Sequence, residues 1–299
     1  AMGLVVLILD FYRSVSDAWY LPVISFLSLQ MLPRWLRALI YGLLGTGILA
    51  TAVIGLSKSV LKPFVPPGEE VVTAVTNYRR KQRGPHVVVL GGGSGLATIL
   101  RGLKKHSANI TAIVAMTDDG GSSGELRRRV GVLPPGDVRN CLTALSNDEA
   151  MLTQIFQYRF SSEYQLNGHS LGNLFITAMS EITGSFEDAV AEAGQVLAIT
   201  GHVLPATLHN VNLAASKVDD ELGYETIVRG ESVIPKTKGR IKRVWLEPDK
   251  PKAFPPAIQA ILSADLIVVG PGSLYTSILA NLMVPEISQA VLASNALKF

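Results

Sequence analysis

Val87-Val88-Val89-Leu90-Gly91-Gly92-Gly93-Ser94-Gly95-Leu96 is the stretch that decides the fold. Its four leading apolar residues, three of them β-branched, predict a buried strand. The glycines predict a tight turn, and a helix is expected from Ser94 to Lys105. A strand, a glycine turn and a helix start together aim free backbone N–H groups at an anion, most often a phosphate. A dinucleotide fingerprint needs glycine at 91, 93 and 96, but position 96 is Leu, which argues against a nicotinamide cofactor.

The same pattern continues downstream. Ile110 to Met116 predicts a second buried strand, parallel to the first across the crossover helix. It runs into Thr117-Asp118-Asp119-Gly120-Gly121-Ser122-Ser123-Gly124. Ligands of open α/β sheets bind at the carboxyl ends of the strands, so the glycine turn and the paired carboxylates are expected to face one crevice. Asp118 and Asp119 are suited to holding hydrated Mg²⁺ against phosphates, or to accepting ribose hydroxyls. Gly120 to Gly124 is a candidate second anion nest. A third apolar strand, Asp265 to Val269, enters Gly270-Pro271-Gly272-Ser273-Leu274-Tyr275-Thr276-Ser277 and another helix. Gly270, Gly272 and Ser273 therefore repeat the arrangement of Gly91, Gly92, Gly93, Ser94 and Gly95. Two such corners in one sheet are expected for a nucleotide diphosphate or a nucleotide sugar. The expected fold class is α/β, a doubly wound and mostly parallel sheet.

Between these corners lie further candidates. Arg127-Arg128-Arg129 reads as three charges that screen phosphates or, the favoured reading, as a solvated helix face. In Pro134-Pro135-Gly136-Asp137-Val138-Arg139-Asn140 a rigid turn enters a helix, with Asp137 as the expected N-cap and Arg139 and Asn140 in the first turn. Gly168-His169-Ser170-Leu171-Gly172-Asn173 opens another helix. His169 there is a general acid or base, a phosphate donor or a structural hydrogen-bonder. From His202 to Leu246 the texture changes. His202–Ala206, Asn210–Val218, Thr226–Val233 and Arg240–Leu246 read as strands without intervening helices, an inserted antiparallel region. Asp219-Asp220 falls in a turn and is expected to be solvated. After a helix around Ile287 to Ser294, no further strand is expected.

The chain has 299 residues, 17% charged, and a net charge of +3, too small to argue for nucleic acid. Mean hydropathy is +0.31. The apolar excess lies in Ala38 to Ser57, 20 residues without a charge. That length spans about 30 Å as a helix, the thickness of a bilayer core, and predicts a transmembrane segment at 38–57. Residues 1–37 are less regular. Ala18 to Leu32 is short for a span and contains Pro22; it reads as an interfacial or re-entrant segment anchored by Trp19, Tyr20 and Trp35, or as a short second span. A cleaved signal peptide fits poorly, because no basic region precedes Gly3 to Leu9. Residues 58–84 read as a linker, with Pro63, Pro66, Pro67 and Gly68 before a short helix from Glu69 to Lys81. Arg79, Arg80, Lys81 and Arg83 tip the flanking charge toward a cytoplasmic body beginning near Pro85. The lone Cys141 has no intrachain disulfide partner, which agrees with a reducing compartment.

Taken in order, the five glycine-, aspartate- and asparagine-rich segments at 91–96, 118–124, 134–140, 168–173 and 270–277 resemble the YvcK/CofD-like family, the YvcK branch most closely, over about Pro85 to Phe299. The resemblance implies a Rossmann-like nucleotide-binding domain over 85–299 that takes UDP-sugars such as UDP-N-acetylglucosamine. The implied site comprises Gly91, Gly92, Gly93, Ser94, Gly95, Thr117, Asp118, Asp119, Gly120, Asp137, Arg139, Asn140, His169, Asn173, Gly270, Gly272 and Ser273, with Asp118 and Asp119 as candidate Mg²⁺ ligands. Members of the branch are described as gluconeogenesis factors linked to cell shape and cell-wall precursor supply, largely as regulators without assigned catalysis. The CofD branch instead transfers a phospholactyl group from a guanosine diphosphate conjugate onto a deazaflavin, with Mg²⁺. The family implies a cell-wall synthesis protein and a second copy of the chain as candidate partners. Two departures stand out: an apolar N-terminal anchor precedes the domain, and the family's last hundred or so residues are expected to be missing.

Overall fold

The computed structural model describes residues 29, 32–61, 71–147, 149–161, 166–219 and 223–299. The expected interfacial segment at Ala18 to Leu32 and the proline-rich part of the linker fall almost entirely outside the described residues. The chain divides into two units, Ala1–Val75 and Thr76–Phe299.

The first unit holds one long helix, α1 (Arg34–Leu61), somewhat longer than the predicted span. Arg34–Val60 has a mean hydropathy of 2.0 and none of it is buried, so α1 is long and apolar enough to cross a membrane. Leu43, Ile48, Leu49 and Leu56 are each more than half exposed. Thr46 and Thr51 turn their hydroxyls back onto the carbonyls of Gly42 and Gly47, which satisfies them within the helix.

A helix, α2 (Val71–Gln82), leads into the second unit. A five-stranded parallel sheet is built from β1 (Val87–Gly91), β2 (Ile110–Val114), β3 (His202–Pro205), β7 (Leu266–Val269) and β8 (Leu297–Lys298), in the order β3-β2-β1-β7-β8. The chain starts in the middle, steps outward through β2 to β3, then returns to the other side of β1. The strand order thus reverses between β1 and β7, which is where open α/β sheets place their ligands.

Helices α3 (Gly93–Leu103), α4 (Gly121–Val130), α5 (Gly136–Leu145), α6 (Glu149–Gln157), α7 (Leu171–Thr183) and α8 (Phe186–Val196) follow the first two strands. The two-residue period of β1 divides the core. Val87 and Val89 pack with Leu96, Leu100, Leu142 and Ile176 on the helical side. Val88 and Leu90 pack on the other side with Leu213, Ala215 and Leu246 of a three-stranded antiparallel sheet, β4 (Asn212–Val218), β5 (Glu225–Arg229) and β6 (Arg240–Glu247), in the order β5-β4-β6. Helices α9 (Pro255–Leu262), α10 (Leu279–Leu282) and α11 (Pro285–Ala293) complete that side; Ile261 and Ile287 are fully buried there.

Two sequence expectations need correction. His202–Ala206 is not part of the antiparallel insertion: His202–Pro205 pairs in parallel with Thr111–Val114 as the edge of the main sheet. A strand does follow the last helix, because Leu297 and Lys298 pair with Leu266 and Ile267. Both strands are short, and both are selected by a partner distant in sequence.

Candidate functional site

The site is built where the sheet order reverses. Gly91 ends β1, and α3 starts two residues later. Gly93 has φ +67°, and a Cβ there would meet no atom within 4 Å, so its backbone turns openly toward the crevice. A Cβ on Gly95 would lie 2.8 Å from the Pro271 carbonyl oxygen, and one on Gly272 would lie 3.6 Å from the Gly92 carbonyl oxygen. The 91–95 and 270–273 turns therefore touch, and only glycine allows that approach at Gly95. The Asn281 side chain donates to the Gly91 carbonyl at 2.9 Å and ties the two corners together.

Three helix N-termini open into this space without a side-chain cap. The residues before α3, α4 and α5 are Gly92, Gly120 and Pro135, and none accepts a capping bond. By contrast, α7 and α8 are capped by Ser170 and Ser185. The uncapped turns are neighbours. The Gly93 N–H donates to the Asp137 carboxylate. A Cβ on Gly136 would lie 2.8 Å from Asp118 Oδ2 and would run into the Ser123 hydroxyl. The first turns of three helices, none capped by the residue before it and that of α3 met by Asp137, thus converge, each carrying the positive end of its dipole. Asp137 does not cap its own helix as expected. It lies in the first turn of α5 and reaches across to the glycine corner.

Carboxyl groups line the opposite wall. Asp118 accepts from the Gly120 N–H at 3.0 Å. Asp119 is drawn away from its neighbour: it accepts from the Ser232 N–H at 2.8 Å, and Gly230, at φ +106°, packs on its other oxygen. That contact brings the β5–β6 connection over the sheet edge and introduces Glu231. Its carboxyl lies 3.5 Å from the Thr117 hydroxyl, which in turn lies 3.5 Å from the Thr276 carbonyl. Burial, with Asp118 and Asp137 adding repulsion, pushes Glu231 up to about 8. Burial is also the main cause of the rise of Asp137 to about 6. Among the described residues no three His, Cys, Asp or Glu side chains converge as a metal-binding group.

The donor wall comes from α4, α5 and α7. Arg139 Nη1 donates to Ser170 Oγ at 2.5 Å and to Asn173 Oδ1 at 2.9 Å, and Nη2 donates to Asn140 Oδ1 at 2.9 Å. Asn173 Nδ2 donates to Ser122 Oγ at 3.0 Å. His169 Nδ1 lies 3.0 Å from Ser122 Oγ, and its Nε2 lies 3.4 Å from Glu125. The expectation that Arg127 is solvated is corrected. It is 7% exposed and donates to Asn210 Oδ1 at 2.6 Å and to the Val211 carbonyl at 2.5 Å. Burial lowers the pKa of both Arg127 and Arg139. Arg127 Nη1, Arg139 Nε and the Asn281 side-chain oxygen are buried and lack a protein partner.

Most of the sequence candidates therefore meet at one crevice. Ser94 is the exception, exposed on the first turn of α3. Ser273 caps its own turn, accepting from Thr276 N at 3.4 Å. Glu231, Ser122 and Glu125 were not among the candidates. The only local signal for Glu231 is its place between Gly230 and Ser232 in a turn. A separate cavity of about 500 Å³ lies between α8, β3 and the start of α9, lined by Val190, Gly194, Ile199, Val203, Pro205 and Phe254, and contains none of these residues.

A family profile described as 2-phospho-L-lactate transferase CofD matches residues 87–299. The chain belongs to the CofD family. A Nostoc sp. relative is 53% identical over 246 residues, covering 82% of this chain and 52% of its own length. Proteins named gluconeogenesis factor from Listeria monocytogenes and Bacillus subtilis are 48% and 50% identical, covering 73% and 72% of this chain and 66% of each relative. The chain thus spans about half to two thirds of the length of the curated relatives it matches. A Bacillus halodurans crystal structure matches with a TM-score of 0.68 at 50% identity, over 72% of this chain and 68% of that one. A second crystal structure, described as a member of the UPF0052 family, gives 0.67 at the same identity, over 72% and 67%.

Proposed function

We propose that this chain binds a nucleotide sugar, a UDP-sugar such as UDP-N-acetylglucosamine, by its diphosphate, and acts as a membrane-tethered regulator linking carbon metabolism to cell-wall synthesis and cell shape. The observation that carries the reading is the meeting of three helix N-termini that lack a side-chain cap with the 270–273 corner. N–H groups at helix N-termini are satisfied by anionic oxygens. The names of the relatives support the tie to carbon metabolism. A cell-wall synthesis protein and a second copy of the chain are its proposed partners.

The acidic wall defines the form in which the ligand binds. Asp119 is committed to the β5–β6 connection, so Asp118 is the carboxylate free to face a diphosphate. Mg²⁺ fits there as an ion shared between Asp118, phosphate oxygens and water, and it would offset the repulsion between the acids and the ligand. Helix α1 is the proposed anchor, with Arg79, Arg80, Lys81 and Arg83 on the cytoplasmic side. Membranes carrying the full chain, washed at high pH, would retain it; release into the wash would remove the anchor.

The family description favours a second reading, an Mg²⁺-dependent CofD-like phospholactyl transferase. Calorimetry with UDP-N-acetylglucosamine, GDP and NADP separates the two. Tight UDP-sugar binding without turnover is the expected result. Mg²⁺-dependent release of GMP from a phospholactyl guanosine diphosphate donor would replace the regulator with an enzyme.

A further inference from the structure

The hydrogen bonds on the donor wall run in one direction. Arg139 only donates, so its 2.9 Å bond fixes the Asn173 oxygen as the acceptor. The Asn173 nitrogen then faces Ser122 and donates to it at 3.0 Å. Ser122 Oγ keeps a second acceptor position, so the direction of its 3.0 Å contact with His169 Nδ1 depends on where the ring carries its hydrogens. Nε2 faces the Glu125 carboxylate at 3.4 Å, an acceptor, so a neutral ring carries its hydrogen on Nε2 and Nδ1 accepts the Ser122 proton. For a neutral ring this is the arrangement that sets neither donor against donor nor acceptor against acceptor; a ring carrying both protons fits the same contacts with Nδ1 donating to Ser122.

We propose that Ser122 is a ligand-facing hydroxyl whose direction is set by His169, so that His169 is a positioning residue coupling diphosphate binding to the uptake of one proton. The inference rests on the diphosphate reading above. When His169 gains a proton, Nδ1 becomes a donor to Ser122, which still accepts from Asn173. Both acceptor positions of the hydroxyl are then filled, and its O–H turns away from the ring. Ser122 is the second residue of α4, so the freed O–H joins the uncapped N–H groups of that turn. An anion bound there gains a donor and a nearby positive charge. Proton and anion each favour the other.

The charged groups around the ring are few. Glu125, on α4, faces the ring and is bridged to Arg129 at 2.8 Å. Arg159 donates to the Gly168 carbonyl next to His169 at 2.8 Å, and Arg139 on α5 joins the same network through Asn173. Asp137, at the glycine corner, and Glu231, on the acidic wall, are further titratable groups of the crevice, raised to about 6 and about 8. The test therefore compares variants rather than reading one slope.

The full chain in detergent is titrated calorimetrically with UDP-N-acetylglucosamine and with inorganic pyrophosphate, in buffers of different ionisation enthalpy, from pH 6 to 8. Wild type is expected to take up more protons per ligand than His169→Gln, and its affinity to rise as pH falls, by up to about tenfold per unit for one linked proton. Ser122→Ala is expected to lose the same component and to bind about tenfold more weakly at pH 6. Equal proton counts in wild type and His169→Gln overturn the proposal. So does a ¹⁵N spectrum of the unliganded protein at pH 8 showing His169 protonated on Nδ1 rather than Nε2. Binding of pyrophosphate but not of the UDP-sugar removes the nucleotide reading and leaves the proton linkage to be decided with pyrophosphate. Binding of neither overturns both.

Discussion

Replacing Gly93 with valine tests the glycine corner most cleanly, because its effects on folding and on binding separate. Gly93 sits at φ +67°, where an L-residue costs about 1–2 kcal/mol and a β-branched one lies at the upper end of that range. No atom lies within 4 Å of the new Cβ, so no steric clash adds to this strain. For a body of this size, about 2–4 °C of melting temperature is lost per kcal/mol, so a fall of about 2–8 °C is expected and the fold survives. The side chain then occupies the open space the diphosphate would enter. Losing one charge-assisted backbone contact is worth about 1.5–3 kcal/mol, roughly 10- to 150-fold in affinity. Gly102→Ala, in the same helix and also without a neighbour within 4 Å, is the control. It should raise stability by less than about 1 kcal/mol and leave affinity unchanged. Thermal melts and calorimetry with UDP-N-acetylglucosamine read both quantities. A folded Gly93→Val that binds with wild-type affinity refutes the cradle.

Three further perturbations follow from the geometry. Asp118→Asn should blunt the dependence of nucleotide binding on Mg²⁺, read by calorimetry with and without chelator; a folded variant with an unchanged Mg²⁺ response makes Asp118 structural only. Asp137 and Glu231 hold protons up to about 6 and about 8, well above their ordinary values of 3.8 and 4.5. Between roughly pH 4.5 and 8 the folded chain therefore binds more protons than the unfolded one, and ligand-free stability should fall as pH rises through that window. Glu231→Gln should flatten the upper half of the decline, and denaturant melts at pH 5, 6.5 and 8 would show a parallel curve if the assignment is wrong. Arg127→Ala removes the partner of a buried carbonyl and of Asn210 and should cost about 2–3 kcal/mol in urea unfolding; a change below about 0.5 kcal/mol would show the guanidinium is idle.

What could be read in the sequence was local or periodic. Val87 to Gly95 announces its strand, turn and helix because all the determinants lie within ten residues, and the touching of the 91–95 and 270–273 corners follows from two such units in one parallel sheet. Ala38 to Ser57 announces an apolar helix by length alone. What stayed hidden depends on partners far along the chain. The four residues of β3 carry no mark of whether they pair in parallel with β2 or antiparallel with β4. Arg127 is buried only because Asn210 and the Val211 carbonyl, more than 80 residues away, receive its donors. Glu231 reaches the crevice because Asp119 holds the Gly230–Ser232 turn. The direction of the Arg139–Asn173–Ser122–His169 chain emerges only when four segments meet.

The most direct measurement is a crystal structure of the chain with UDP-N-acetylglucosamine and Mg²⁺. The diphosphate should lie within about 3 Å of the Gly121 backbone nitrogen, over the open face of Gly93, against the 270–273 turn and on the Asp118 side of the crevice. A nucleotide seated instead in the apolar cavity between α8 and β3, with the glycine corners untouched, would contradict the account.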